Sequence, residues 1–152
     1  MLLSSHYSTL LVIHGILRWF VLFAGIGTVI GCLLGIFLNL PFRPAGRILG
    51  LIYVSLVDTQ FLVGVFLSIA SPIVHYFWTN PESGMKSHDL RFFAVEHTVI
   101  MLAALSIAHI GAVRSRRYPL SLKAYKSAAL WYAVSLVVII LGIPWWRPLL
   151  RH

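Results

Sequence analysis

The chain has 152 residues, of which 59% are hydrophobic and only 11% charged, and its mean hydropathy is +0.89. Soluble domains carry about a quarter charged residues, and a fold this small leaves much of its surface exposed, so water is excluded as the solvent for most of it. The formal charge of +8 does not point to nucleic acid, because Lys and Arg fall in the gaps between apolar runs and not on an aromatic-studded face.

A membrane-spanning helix needs ~20 mostly apolar residues, and four runs meet that length. The first covers about 8–38. It is longer than required and predicts tilt or an extra turn. Residues Met1 to Leu11 hold no basic region and no small-residue cleavage site follows, so this run is expected to be retained as a span. Gly27, Gly31 and Gly35 form a stripe along it that reads as helix packing. Cys32, the only cysteine, reads as a small buried residue, since one thiol makes neither an internal disulfide nor a CxxC site.

The second run covers about 48–71 and is closed by Pro72. The third covers about 90–113, with Ser87 or Asp89 placed to cap its start. The fourth covers about 124–143 and is closed by Pro144. The connections 39–47, 72–89 and 114–123 are short, which predicts an all-α fold: one transmembrane up-down-up-down four-helix bundle across residues 1–152. Arg43 and Arg47 in the first connection, and Arg114, Arg116, Arg117, Lys123 and Lys126 in or beside the third, put both connections on the cytoplasmic side. Both termini and the 72–89 loop then face outward, in a bacterial inner membrane crossed by several spans. Trp78, Trp145 and Trp146 suit an outer aromatic belt. Trp131 does not.

Six ionisable residues lie inside the apolar runs, where each is costly unless paired or set in a cavity: His14, Arg18, Asp58, Glu96, His97 and His109. Gln60 adds a polar amide. Counted at 1.5 Å per residue, His14 lies ~10 Å below Tyr7 and His97 ~12 Å below Asp89. The first and third spans are diagonal partners in an up-down bundle. Two imidazoles at one level across its core can hold a heme iron from both faces. Met101, Ala104, Ala108 and Gly111 share the azimuth of His97, and the small ones leave room for a flat macrocycle or a neighbouring backbone. Lys86, His88 and Arg91 at the outer rim suit heme propionates.

Arg18 and Asp58 both count to the bilayer midplane, which predicts an ion pair between them. Gln60 and Gly64 share a face and line the same cavity. Glu96 points about 100° away from His97 and is expected to meet Arg91 or another subunit. His109 lies twelve residues beyond His97 with no second histidine at its depth, so one bis-histidine site is expected, not two. Taken singly, each histidine reads equally well as a hydrogen-bond partner for a carbonyl, Ser or Thr of another helix.

Several of these residues match a family pattern. The stretches His14-Gly15-Ile16-Leu17-Arg18-Trp19, Gln60 with Gly64 and Ser71-Pro72, Met85-Lys86, Leu90-Arg91-Phe92-Phe93-Ala94-Val95-Glu96-His97 and Ile143-Pro144-Trp145 resemble a group of small four-helix membrane proteins of Bacteroidetes labelled as b-type cytochromes. The resemblance covers nearly the whole chain and implies a heme-binding or electron-transfer membrane protein. It also shows a departure: the family often has histidine where this chain has Asp58, so a ligand role from the second helix is lost here.

The reading that unites these observations is an electron-transfer protein or subunit with one heme b. His14 and His97 would be the iron ligands, and Arg18, Gln60, Met101 and Ala104 would line or tune the pocket. Its partners would be the lipid bilayer, other membrane subunits and a quinone. The first rival is a cofactor-free structural subunit docked on a larger complex. The second is a small transporter or proton conductor using Arg18, Asp58, Glu96 and His109, which has too few helices unless it oligomerises. No nucleophile–base motif, phosphate loop or metal-hydrolase motif points to catalysis of bond chemistry.

Overall fold

The computed structural model describes residues 2–42, 44–118 and 120–147, without the side chains of residues 2–6, 44 and 45. Among them every regular element is helical. Helix α1 (Leu2–Phe37) and α2 (Pro44–Ala70) are the first two spans. Two short helices follow, α3 (Pro72–Thr79) and α4 (Pro81–Lys86). The third span is composite: α5 (His88–Arg91), a π-helical turn Phe92–Glu96, then α6 (His97–Arg116). The fourth is α7 (Leu122–Gly142). The segments Tyr7–Phe37, Gly46–Ala70, His88–Arg116 and Leu122–Gly142 are long and apolar enough to cross a membrane.

Proline and serine punctuate these elements for physical reasons. Pro44, Pro72 and Pro81 each open a helix, where a missing N–H costs no hydrogen bond. The Ser71 hydroxyl accepts from the Val74 amide at 3.4 Å, and Ser121 accepts from the Lys123 amide at 3.2 Å, so both act as N-caps. Asn39 ends α1 in the left-handed region, at φ 52°, a conformation that asparagine tolerates better than most residues.

Two expectations need correction. The stretch after Pro72 is not a bare loop, because its prolines start helices α3 and α4. The third span is not one continuous α-helix, because the π turn interrupts it just ahead of His97. Capping differs too. Ser87 precedes α5 without a side-chain cap, and the Asp89 carboxylate instead accepts from the Arg147 guanidinium and, at 3.3 Å, from Trp146 Nε1.

Helix α1 packs against α2 and α7, while α6 packs against α7 and α2, so α1 and α6 face one another across the bundle. The core is built from tyrosines seated on small residues. A Cβ on Gly35 would run into the Tyr125 ring, and one on Gly50 into Tyr132. These two glycines let aromatic side chains meet backbone directly. Ala104, Ala108 and Ala112 of α6 and Ala124 and Ala128 of α7 are buried in the same cluster. Tyr53 and Ser135 share a 3.0 Å hydrogen bond, and the Ser135 hydroxyl donates to the Ala104 carbonyl at 2.8 Å. This short chain ties α2, α7 and α6 together.

The glycine stripe of α1 divides. Gly31 meets Leu49 and Gly35 meets Tyr125 inside the bundle, whereas Gly27 has open space beside it. The stripe is therefore not one packing surface. Trp131 finds a place beside a cation: the Arg114 guanidinium lies over its ring, 5.3 Å from the centroid.

Candidate functional site

Two imidazoles meet inside the bundle. The rings of His14 on α1 and His97 on α6 have centroids 6.3 Å apart and planes inclined by 70°. The sequence placed them at one depth by counting, and the structure brings them face to edge.

The two rings are held from different sides. His97 Nδ1 lies 2.8 Å from the carbonyl oxygen of Gly142. A carbonyl only accepts, so Nδ1 carries the hydrogen and donates it, and the lone pair of the neutral ring falls on Nε2. The carbonyl is available because α7 stops there. Pro144 disfavours helical geometry for the residue before it, and carbonyls of a last turn have no partner within the helix. Trp145 Nε1 occupies a second such carbonyl, that of Ile140, at 2.9 Å. Gly142 was not singled out from the sequence. The Gly-Ile-Pro ending of the fourth span was the sign that an acceptor would be left over.

His14 is seated against α2. A Cβ on Gly64 would stand 3.2 Å from its Cε1, so the missing side chain makes the ring's space. One turn earlier, Gln60 donates from Nε2 to the His14 backbone carbonyl at 3.0 Å. Two polar atoms remain buried here without a hydrogen-bond partner among the described residues: His14 Nδ1 and Gln60 Oε1.

Arg18 lies one turn along α1 from His14, with its guanidinium 6.0 Å from the Trp19 ring centroid. The expected pair with Asp58 does not form. Asp58 Oδ1 is instead 2.8 Å from His109 Nε2. His109 therefore answers the carboxylate of α2.

Aromatic and charged residues close the end of the bundle beside His97. Phe92 and Phe93 lie 5.7 and 6.4 Å from its ring, centroid to centroid. Trp146 packs on Phe92 at 4.7 Å and on His88 at 5.1 Å. The Arg147 guanidinium lies 4.4 Å from the Phe93 centroid. Arg91 donates to Glu96 and, at 3.1 Å, to the Met85 carbonyl. That partner resolves Glu96. The two residues are five apart, and a π turn brings residues at this spacing one above the other.

Two expected pocket residues, Met101 and Ala104, pack between α6 and α7. Ala104 is buried and gives its carbonyl to Ser135, while Met101 packs on Gly142. Both seat α7 against α6. Gly111 does the same against Trp131 and Tyr132, and Ala108 is buried in the core cluster. Small residues on the azimuth of His97 thus make room for a neighbouring helix, the alternative their size allowed. Among the described residues no group of three or more His, Cys, Asp or Glu side chains converges to hold a metal ion. No family model, no curated protein and no solved structure matches the chain.

Proposed function

We propose that the chain is a b-type cytochrome-like electron-transfer protein, or a subunit of a larger electron-transfer complex, with one heme b between α1 and α6. The observation that carries this reading is the distance between the two rings. Imidazoles on opposite sides of one metal, at ~2.0 Å per bond, put their ring centroids about 6 Å apart. Here the separation is 6.3 Å. Two protein donors are too few for a bare ion, and His14 and His97 would suit a metal carried in a macrocycle.

The polar surroundings fit as well. His97 donates Nδ1–H to a backbone oxygen, which leaves Nε2 as the ligating atom and makes the ring more basic. His14 Nδ1 is buried with no hydrogen-bond partner among the described residues. A bound heme supplies reversible one-electron chemistry at its iron. The chain's own residues orient the rings, keep water from them with Phe92, Phe93 and Trp146, and add the positive charge of Arg18. In this reading the bundle runs up-down-up-down through a bacterial inner membrane with both termini outside. The ring pair then lies in the outer third, among neighbouring membrane subunits and within reach of membrane quinone.

The test is the visible spectrum of the purified protein with a pyridine hemochrome assay. The expected result is a reduced b-type α band, lost in both His14→Ala and His97→Ala while the helical circular dichroism persists. A colourless wild-type protein would replace this reading with the cofactor-free structural subunit.

A further inference from the structure

The four carboxylates of the chain are unevenly spread. Glu82, Asp89 and Glu96 lie in α4, α5 and the π turn, and Asp58 is the middle residue of the span Gly46–Ala70. The other end of the bundle, where the first and third connections meet, holds none. Phe42 and Tyr125 join the two connections there, with ring centroids 4.7 Å apart. That end carries Arg47, Arg114, Arg116, Arg117, Lys123 and Lys126, all exposed. Asp58 pairs with His109, Asp89 with His88 and Arg147, and Glu96 with Arg91. Among the described residues Arg47 pairs with no carboxylate.

Membrane orientation explains why cations gather at one end, but it asks only that they lie in the loops. Arg47 does more, because it lines a groove of about 290 Å³ together with Phe42, Ile48 and Leu120. The walls come from three places: Phe42 from the first connection, Arg47 and Ile48 from the start of α2, and Leu120 from the third connection. Leu120 is unusual twice over. It is 70% exposed, and its backbone is left-handed at φ 58°, a conformation that residues other than glycine, asparagine and aspartate seldom adopt. So exposed a side chain gains little packing within the bundle to offset that strain. The groove thus sets one unpaired guanidinium beside an apolar trough, at the level where the apolar run of α2 begins. Its shape fits a molecule with an anionic head and a hydrocarbon body.

We propose that this groove binds one anionic phospholipid, with Arg47 on the phosphate and Phe42, Ile48 and Leu120 against the glycerol backbone and the upper acyl chain. A guanidinium presents paired N–H donors that match two phosphate oxygens. The surrounding cations, with no carboxylate among them, favour a headgroup of net negative charge over a zwitterionic one. The start of a span lies at the level of the headgroups, where phospholipid is the abundant ligand. A free phosphate would leave the apolar lining in water. Nineteen residues of α6 separate His97 from Arg116, ~29 Å at the rise of an α-helix, so the site is distinct from the ring pair and independent of any heme there.

The experiment is native mass spectrometry of the full chain in a neutral detergent, titrated with dioleoyl phosphatidylglycerol or dioleoyl phosphatidylcholine. The first phosphatidylglycerol is expected to bind more tightly than phosphatidylcholine with the same tails. Arg47→Gln should weaken phosphatidylglycerol about fivefold and bring it near phosphatidylcholine. Lys126→Gln removes the same charge from a residue that does not line the groove, and should change binding by less than about twofold. Leu120→Gly is expected to weaken both lipids about threefold through lost apolar contact. Its melting temperature in detergent should hold or rise, since glycine takes a positive φ without strain. Equal affinity for the two lipids overturns the proposal, and so does unchanged lipid binding in Leu120→Gly. An equal loss in Arg47→Gln and Lys126→Gln overturns it in favour of diffuse charge. Displacement of the lipid by equimolar glycerol 3-phosphate overturns it in favour of a free phosphate.

Discussion

The oxygen that fixes the His97 ring belongs to Gly142, the last residue of the last helix, so the orientation of a side chain on α6 depends on where α7 ends. A Cβ on Gly142 would run into Ile100 Cγ2 and the methyl of Met101. Gly142→Ala is therefore expected to push the end of α7 away from α6, at a cost of about 1–3 kcal/mol, and to weaken the His97 bond. A less basic ligand favours the reduced iron. Thermal melting should show the lost stability, and a redox titration of the heme band should show a higher midpoint potential.

Gly64 acts on the other ring. An alanine there adds a Cβ at 3.2 Å from His14 Cε1, a contact that a small ring shift relieves, whereas a valine fills the space of the ring edge. If heme is held as proposed, the expected outcome is graded: Gly64→Ala would keep most of the heme band, and Gly64→Val would lose it. The helical circular dichroism should stay near that of the parent, because the change opens no cavity in the tyrosine core.

If heme is held as proposed, the positive charge of Arg18, one turn from His14, would stabilise the reduced iron relative to the oxidised one. Arg18→Leu is expected to lower the heme midpoint potential by on the order of tens of millivolts. Arg18→Lys should recover much of the difference. A potential that does not move in Arg18→Leu would place the guanidinium too far from the iron to matter.

The buried chain Tyr53–Ser135–Ala104 makes an asymmetric prediction. Ser135→Ala removes the central hydroxyl and leaves both the Tyr53 hydroxyl and the Ala104 carbonyl to find other partners. Tyr53→Phe leaves the Ser135 bond to Ala104 intact. Ser135→Ala is expected to cost about 1–3 kcal/mol and Tyr53→Phe nearer 1 kcal/mol, read as the order of melting temperatures in one detergent. Neither residue contacts the imidazoles, so the heme spectrum should be unchanged in both.

The four spans were legible in the sequence because bilayer thickness imposes a length that composition reveals directly. The matched level of His14 and His97 was legible too, because depth along a helix follows from a fixed rise per residue. Azimuth was less secure. Asp58 was assigned to Arg18 on depth alone, and its partner is His109, since depth says nothing about which way a side chain leaves its helix. The small residues Ala104 and Ala108 were read as room for a macrocycle or a backbone, and both are buried in the helix-packing core. The Gly142 carbonyl was not singled out because an acceptor on the main chain has no residue type to mark it. Only the proline two positions later hinted that it would be left without a helical partner. The Arg91–Glu96 pair was named as one of two options, but its five-residue spacing fits no α-helical face and makes sense only once the π turn is seen.

That turn has a consequence for comparing sequences. A π turn spends one more residue on a revolution than the α-helix on either side of it. Removing a single residue between Arg91 and His97 would let the backbone relax to uniform α pitch over the same revolution, so His97 would keep its side of the helix. What would be lost is the stacking of Glu96 over Arg91, which needs the five-residue spacing. A related chain with a one-residue gap in that interval can therefore present both histidines alike and differ only in how the rim beside them is tied.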